Sequence, residues 1–247
     1  MRQQWRLLLL ALGFFTRLPL PAIPDFQESD LKEAARYLPL VGWLVGFVAA
    51  LVIGLLSDSV PLEVAIILSM AVTAYMTGGF HEDGLADSAD GLGGGWKKEQ
   101  VLTIMKDSRL GSYGALALIL ALLLKFESLL HIPLPLLPLV LFAGHATSRL
   151  AAVLVMATQE YVRDEGKAKP MASKLSKTSL LLATVFGLLP MLFLPLQMWA
   201  AMLPVVIVWL WFSRILKKRL GGYTGDCLGA MQQLTEIAFY LGVLIWS

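Results

Sequence analysis

Leu38-Pro39-Leu40-Val41-Gly42-Trp43-Leu44-Val45-Gly46-Phe47-Val48-Ala49-Ala50-Leu51-Val52-Ile53-Gly54-Leu55-Leu56-Ser57 runs for 20 residues without an ionisable side chain. A helix rises 1.5 Å per residue, so such a stretch covers about 30 Å, the thickness of a bilayer's hydrocarbon core. Six further stretches qualify or nearly do: 60–80, 113–131, 136–157, 179–196, 198–216 and 228–246. The composition agrees, with 57% hydrophobic and only 15% charged residues over 247 positions and a mean hydropathy of +0.70. A soluble domain carries about 25% charged residues. The expected fold is an all-α, polytopic integral membrane helix bundle with about seven transmembrane helices. No repeat, linker or low-complexity segment divides residues 1–247, which are read as a single membrane-embedded domain. A net charge of +2 excludes a strongly basic binder of nucleic acid. One cysteine, Cys227, makes neither an internal disulfide nor a thiolate metal cluster.

The N-terminal apolar run from Trp5 to Phe15 is interrupted by Arg6 and closed by Arg17. At about 11 residues it is too short to span, and it reads as an interfacial or re-entrant helix. A cleaved signal peptide is the competing reading, but Phe14-Phe15-Thr16-Arg17-Leu18-Pro19 offers no small-residue cleavage site. Basic residues mark the cytoplasmic side of short loops. Segments 1–37, 81–112, 158–178 and 214–227 hold 18 of the 20 lysines and arginines, and the alternate connections hold none. Seven spans then put the N-terminus in the cytoplasm and the C-terminus on the far side. Lys125, Glu127, His145, Arg149 and Glu236 fall inside predicted spans, where ionisable groups usually face the bundle interior. Lys125 has an ordinary account, pairing with Glu127 or reaching to the helix end. Arg149 shares its helix with His145 and Ser148 and reads as lining a polar cavity.

The charge that remains is concentrated in Gly78-Gly79-Phe80-His81-Glu82-Asp83-Gly84-Leu85-Ala86-Asp87-Ser88-Ala89-Asp90-Gly91. In a helix, Asp83, Asp87 and Asp90 stand at i, i+4 and i+7 and share one face, where like charges repel. A divalent cation reverses the sign of that interaction, and hard oxygen ligands suit Mg2+ or Mn2+. Glu82 projects about 100° away from Asp83. His81 beside the cluster fits a proton shuttle, a phosphate contact or a ligand. Two more polar groups fall on the same side. Lys106-Asp107-Ser108-Arg109-Leu110-Gly111 combines a carboxylate with a basic clamp. Gly221-Gly222-Tyr223-Thr224-Gly225-Asp226 offers a glycine turn for phosphate and an aspartate for metal. One shared site is the economical reading, and carboxylates, a metal and basic residues describe phosphoryl transfer. No Walker-type loop is present, so an ATP-driven enzyme is not indicated.

These residues resemble the signature of the cobalamin synthase family, the adenosylcobinamide-GDP ribazoletransferases. The likeness extends to Phe15-Thr16-Arg17-Leu18-Pro19, Met105-Lys106-Asp107-Ser108-Arg109-Leu110-Gly111 and Gly221-Gly222-Tyr223-Thr224-Gly225-Asp226-Cys227-Leu228-Gly229-Ala230, and so spans essentially the whole chain. The resemblance implies a multi-pass enzyme of the bacterial inner membrane, with Mg2+ as cofactor and its active site on the cytoplasmic face. It would transfer the cobinamide-phosphoryl group of adenosylcobinamide-GDP to the 5′-hydroxyl of α-ribazole, or act on α-ribazole 5′-phosphate, releasing GMP. On this reading Asp83, Asp87 and Asp90 hold Mg2+, with Asp107 and Asp226 as further candidates. His81 or Asp90 takes the hydroxyl proton, and Arg17, Lys106, Ser108, Arg109, Arg149 and Thr224 contact substrate. Membrane lipids surround the protein, while self-association and docking of other cobalamin-pathway enzymes stay open. CDP-alcohol phosphotransferases share the chemistry, but their pattern reads Asp-Gly-x-x-Ala-Arg, whereas here Asp83-Gly84-Leu85-Ala86 is followed by Asp87. A lipid phosphotransferase of that type and a membrane transporter are the alternatives.

Overall fold

The computed structural model describes residues 2–21, 27–163 and 175–246. Among these the chain is helical without a strand, in the order α1 (Arg2–Phe15), α2 (Glu28–Ala34), α3 (Leu38–Leu56), α4 (Leu62–Thr77), α5 (Phe80–Gly94), α6 (Lys98–Ile104), α7 (Ser112–His131), α8 (Leu137–Thr158), α9 (Lys177–Leu188), α10 (Met202–Leu220) and α11 (Gly225–Trp246). Proline stands in the first turn of α3 and of α8, where its missing N–H has no helical partner to lose. Ser176 caps α9 by accepting the backbone N–H of Ser179 at 3.1 Å.

Among the described residues, five helices are long and apolar enough to cross a bilayer: Asp30–Leu56, Ser112–His131, Leu137–Thr158, Leu196–Leu220 and Gly225–Trp246. The other two predicted spans are shorter than the sequence suggested. Helix α4 has 16 residues and ends at Gly78 and Gly79, both with positive φ (72° and 68°). That conformation suits glycine alone, and it turns α5 by 86° from α4. α5 therefore does not continue the span. The predicted 179–196 span is α9 followed by a 3-10 turn at Leu189–Phe193, with Pro190 and Pro195 stopping the helix. The N-terminal run forms a 14-residue helix, α1, with Leu7, Leu10, Ala11 and Phe15 buried and Trp5 exposed. The basic positions Lys167, Lys169 and Lys174 lie outside the described residues.

Helices α8 and α11 form the buried centre, with α3 packed along α8 and α5 along α11. Phe47, Leu51 and Leu55 of α3, Leu116, Ile119 and Leu123 of α7 and Leu203, Ile207 and Trp211 of α10 stay exposed. This apolar outer belt is what lipid tails cover.

The α5 to α11 crossing positions the site. A Cβ placed on Gly84 would lie 2.7 Å from the carbonyl oxygen of Asp226, and one on Gly229 3.2 Å from Cα of His81. Only glycine lets the two backbones approach so closely, and the approach brings the aspartates of α5 against the first turn of α11. Arg219 of α10 closes the far end of α5 by donating to the carbonyls of Leu92 and Gly95.

Candidate active site

The acidic segment is helical, as its spacing predicts, from Phe80 to Gly94. Asp83 is exposed and Asp87 half-buried on its open face. Burial, then the nearby charges of Asp83 and Asp226, push the Asp87 carboxyl up to about 7. Asp90 has a different part. Its two carboxylate oxygens accept the backbone N–H of Gly111 and of Gly114, each at 2.8 Å, and the side chain is buried. The residue expected to hold metal or take a proton thus ties α5 to the start of α7 and offers two acceptors to orphan amides there. Glu82 leaves the Asp83 face, as its helical angle predicts, and accepts a hydrogen bond from Gln233 of α11 at 3.0 Å.

Asp226 sits in the first turn of α11, where a carboxylate suits the positive helix end. Arg163 pairs with it at 2.7 Å. Arg163 is a site residue that sequence reading passed over as one of many loop cations. It reaches Asp226 because residues 160–162 pair with the turn before α11: Tyr223 N–H donates to Glu160 O at 2.9 Å and Val162 N–H to Tyr223 O at 3.0 Å. Thr224, expected to touch substrate, is fully buried, and its hydroxyl accepts the Cys227 N–H at 3.3 Å as part of the α11 start. Arg17 stands at the α4 to α5 turn, its N–H donating to Met76 O at 2.7 Å and its guanidinium 5.8 Å from the Tyr75 ring centre. Lys106 and Ser108 are exposed. Asp107 and Arg109 engage each other at 2.6 Å, and the guanidinium hydrogen bonds hold the Asp107 carboxyl down at about 2. That loop reaches α5 through Gly111, so it borders the same end of the bundle.

Beneath the aspartates lies a buried polar chain. Glu236 of α11 has no exposed surface and meets Lys125 of α7 at 2.5 Å, His145 of α8 at 3.1 Å and the Tyr240 hydroxyl at 3.2 Å, with Gln232 also donating to it. Lys125 therefore neither pairs with Glu127 nor reaches to the helix end. Gln232 donates to Ser148 at 3.1 Å, and Gln233 links Gln232 to Glu82. Arg149 donates through Nη1 to the His145 carbonyl at 2.9 Å, and the cavity it lines with His81 is walled mostly by apolar side chains, not the polar one expected. His81 is buried and faces that cavity instead of the open carboxylates.

The profile of the family described as cobalamin-5-phosphate synthase matches residues 7–244. The adenosylcobinamide-GDP ribazoletransferase of Ralstonia pickettii (strain 12J) is 48% identical over 252 residues, covering 100% of this chain and 98% of the relative. That of Shewanella pealeana (strain ATCC 700345 / ANG-SQ1) is 47% identical, covering 99% and 96%. The chain belongs to the cobalamin-5-phosphate synthase family. No solved structure matches it.

For this cobalamin-5-phosphate synthase family chain, the donor set bears directly on a cation. Among the described residues no three His, Cys, Asp or Glu side chains are grouped tightly enough to hold a metal ion. The oxygens nonetheless fit a hard divalent ion in kind. The charges of Asp83 and Asp226 raise the proton affinity of Asp87, and Arg163 takes the place beside Asp226 that a cation would contest.

Proposed function

We propose that the protein is a Mg2+-dependent adenosylcobinamide-GDP ribazoletransferase of the bacterial inner membrane. It joins the cobinamide-phosphoryl group of adenosylcobinamide-GDP to a ribose hydroxyl of α-ribazole or its 5′-phosphate. The ribose oxygen bonds to the cobinamide-linked phosphorus, the diphosphate bridge to GMP breaks, and the hydroxyl proton leaves to a base. In the 5′-phosphorylated acceptor the 5′ oxygen expected from the sequence is already esterified, so a secondary ribose hydroxyl attacks. The observation that carries this reading is the match over residues 7–244, whose polar motifs converge at the α5 to α11 crossing.

Asp83, Asp87 and Asp226 would serve Mg2+ singly or in pairs with substrate phosphate oxygens, and the ion when bound neutralises charge on the diphosphate. Arg163, released from Asp226, would reach phosphate oxygens, with Arg17 at the α4 to α5 turn and Lys106 and Arg109 on the bordering loop as further cations. Asp90 is poorly placed to take the hydroxyl proton, because both of its oxygens already accept backbone N–H. The cytoplasmic face is supported by basic residues at this end, Arg17, Lys106, Arg109, Arg163, Lys217 and Lys218, against none in 57–62, 131–136 and 189–201.

The test uses detergent-purified protein with Mg2+, adenosylcobinamide-GDP and α-ribazole, reading GMP release. Turnover is expected in the wild type and lost in Asp83→Asn, with that variant still folded in the membrane. Full activity in Asp83→Asn would overturn the metal assignment, and substrate uptake into vesicles without GMP would favour transport.

A further inference from the structure

Helix α9 stops short of crossing the bundle. At 1.5 Å per residue its 12 residues cover about 18 Å of a hydrocarbon core about 30 Å thick, and Pro190 and Pro195 keep the chain from continuing as a helix. It begins at the ridge end, so the shortfall lies at the opposite end, where α3 finishes and α8 starts. Trp43 of α3 holds the last turn of α9 by donating to Phe186 O at 2.7 Å, and its ring packs on Phe142 of α8 at 5.3 Å. Beyond that contact lies a groove of about 510 Å3. Phe47, Gly54 and Leu55 of α3 line one side, Pro138 and Phe142 of α8 the other, and Phe193 of the 3-10 turn that follows α9 borders it.

The groove has the shape and chemistry of a slot for a hydrocarbon chain. From Leu55 to Phe47 it runs about 12 Å along α3, parallel to the spans. Among the described residues no polar side chain lines it, so nothing there would orient a polar ligand. A Cβ built on Gly54 meets nothing within 4 Å, which leaves the slot open where a larger side chain would have closed it. It is continuous with the exposed belt of Phe47, Leu51 and Leu55, so it fills from the lipid side. Charge at its mouth narrows the choice of lipid. Asp58 stands three residues beyond Leu55, exposed and with no ion-pair partner among the described residues. The connections 57–62, 131–136 and 189–201 at this end hold no lysine or arginine. An anionic head group meets no such cation here and is repelled by Asp58, whereas an ammonium is attracted.

We propose that this groove seats one acyl chain of a phospholipid from the leaflet away from the ridge, and that Asp58 selects a head group bearing an ammonium, as in phosphatidylethanolamine, over an anionic one. The chain packs on α3 and α8 where a full-length α9 would have packed. The lipid is then a stabilising part of the bundle, distinct from the tails that cover the rest of the belt.

The experiment uses the purified full chain in detergent, stripped of lipid, with palmitoyl-oleoyl phosphatidylethanolamine or the matching phosphatidylglycerol added back. Native mass spectrometry reads the lipid that stays bound, and thermal unfolding reads its effect on stability. The wild type is expected to retain one phosphatidylethanolamine, at least about threefold more tightly than phosphatidylglycerol, and to melt at a higher temperature with it. Gly54→Leu fills the slot, so it should weaken that lipid at least about tenfold and abolish the rise in melting temperature. Its fold is kept, because the space is open and leucine is a better helix former than glycine. Asp58→Asn, outside the slot, should still retain a lipid but lose the preference between head groups. Equal retention of the two lipids by the wild type overturns the head-group assignment, and a lipid held as tightly by Gly54→Leu as by the wild type overturns the seat. A dimer in the wild type that Gly54→Leu disrupts would make a second copy of the chain the occupant and overturns the proposal as well.

Discussion

Asp87 is the residue at which protons and a cation compete. Its folded carboxyl titrates near 7 and an unfolded one near 3.8, so the folded state holds the extra proton between those values. A raised carboxyl pKa means that stability is highest below pH 3.8 and falls as pH rises toward 7, after which the loss is constant. Mg2+ should reverse that loss only where the proton has left. The expected outcome is a Mg2+-induced rise in melting temperature at pH 8 that largely vanishes at pH 5.5, with apparent affinity at least about tenfold weaker at the lower pH. In Asp87→Asn the pH dependence should flatten. Arg163 gives a second, opposed test. Removing it in Arg163→Gln leaves Asp226 without its partner, so Mn2+ binding measured by spin resonance without substrate should tighten, while KM for the GDP-bearing donor should rise. Movement of both in the same direction would mean that Arg163 only props the loop.

Two contacts help position helix α5, each testable through the helix it engages. Gly84 lets α11 approach, and in Gly84→Ala the new Cβ would meet Asp226 O at 2.7 Å. The helices must separate, so turnover should fall at least about tenfold while the protein still assembles, because a displacement on the order of 1 Å at a catalytic group has that cost. Asp90→Ala leaves the amides of Gly111 and Gly114 without their acceptor, which should cost about 1–3 kcal/mol per buried group and loosen the start of α7. The i, i+4, i+7 spacing of the aspartates was legible because a helix converts sequence interval into direction. The separate task of Asp90 was not, since its partners lie 21 and 24 positions away and are backbone N–H groups that no side-chain pattern reveals. Asp226 was identified as a candidate from its own glycine turn, but its neighbour Arg163 depends on the pairing of residues 160–162 with Tyr223, which leaves no periodic trace. The short α9 was visible in Pro190 and Pro195, and hydropathy alone concealed it.

The bundle as a whole is tied through Glu236, which joins α7, α8 and α11 by accepting from Lys125, His145, Tyr240 and Gln232. Taking one partner from a buried ion pair costs about 3–5 kcal/mol. Lys125→Met should therefore lower the melting temperature in detergent clearly, and the double variant Lys125→Met with Glu236→Gln should recover part of the loss. A neutral single variant would mean that water reaches this layer. Composition announced the membrane class, since 57% hydrophobic residues cannot build a water-facing surface. The partner of Lys125 stayed hidden because it stands 111 positions away along the chain, and local spacing favoured Glu127.

Asp90 grips two amides at the first turn of a helix whose middle carries Lys125. Any shift of α5 when the ridge fills must be passed to α7 through that grip. The peptide hydrogens of Gly111 and Gly114 are thus built-in occupancy gauges: their exchange with heavy water should slow when Mg2+ and donor bind.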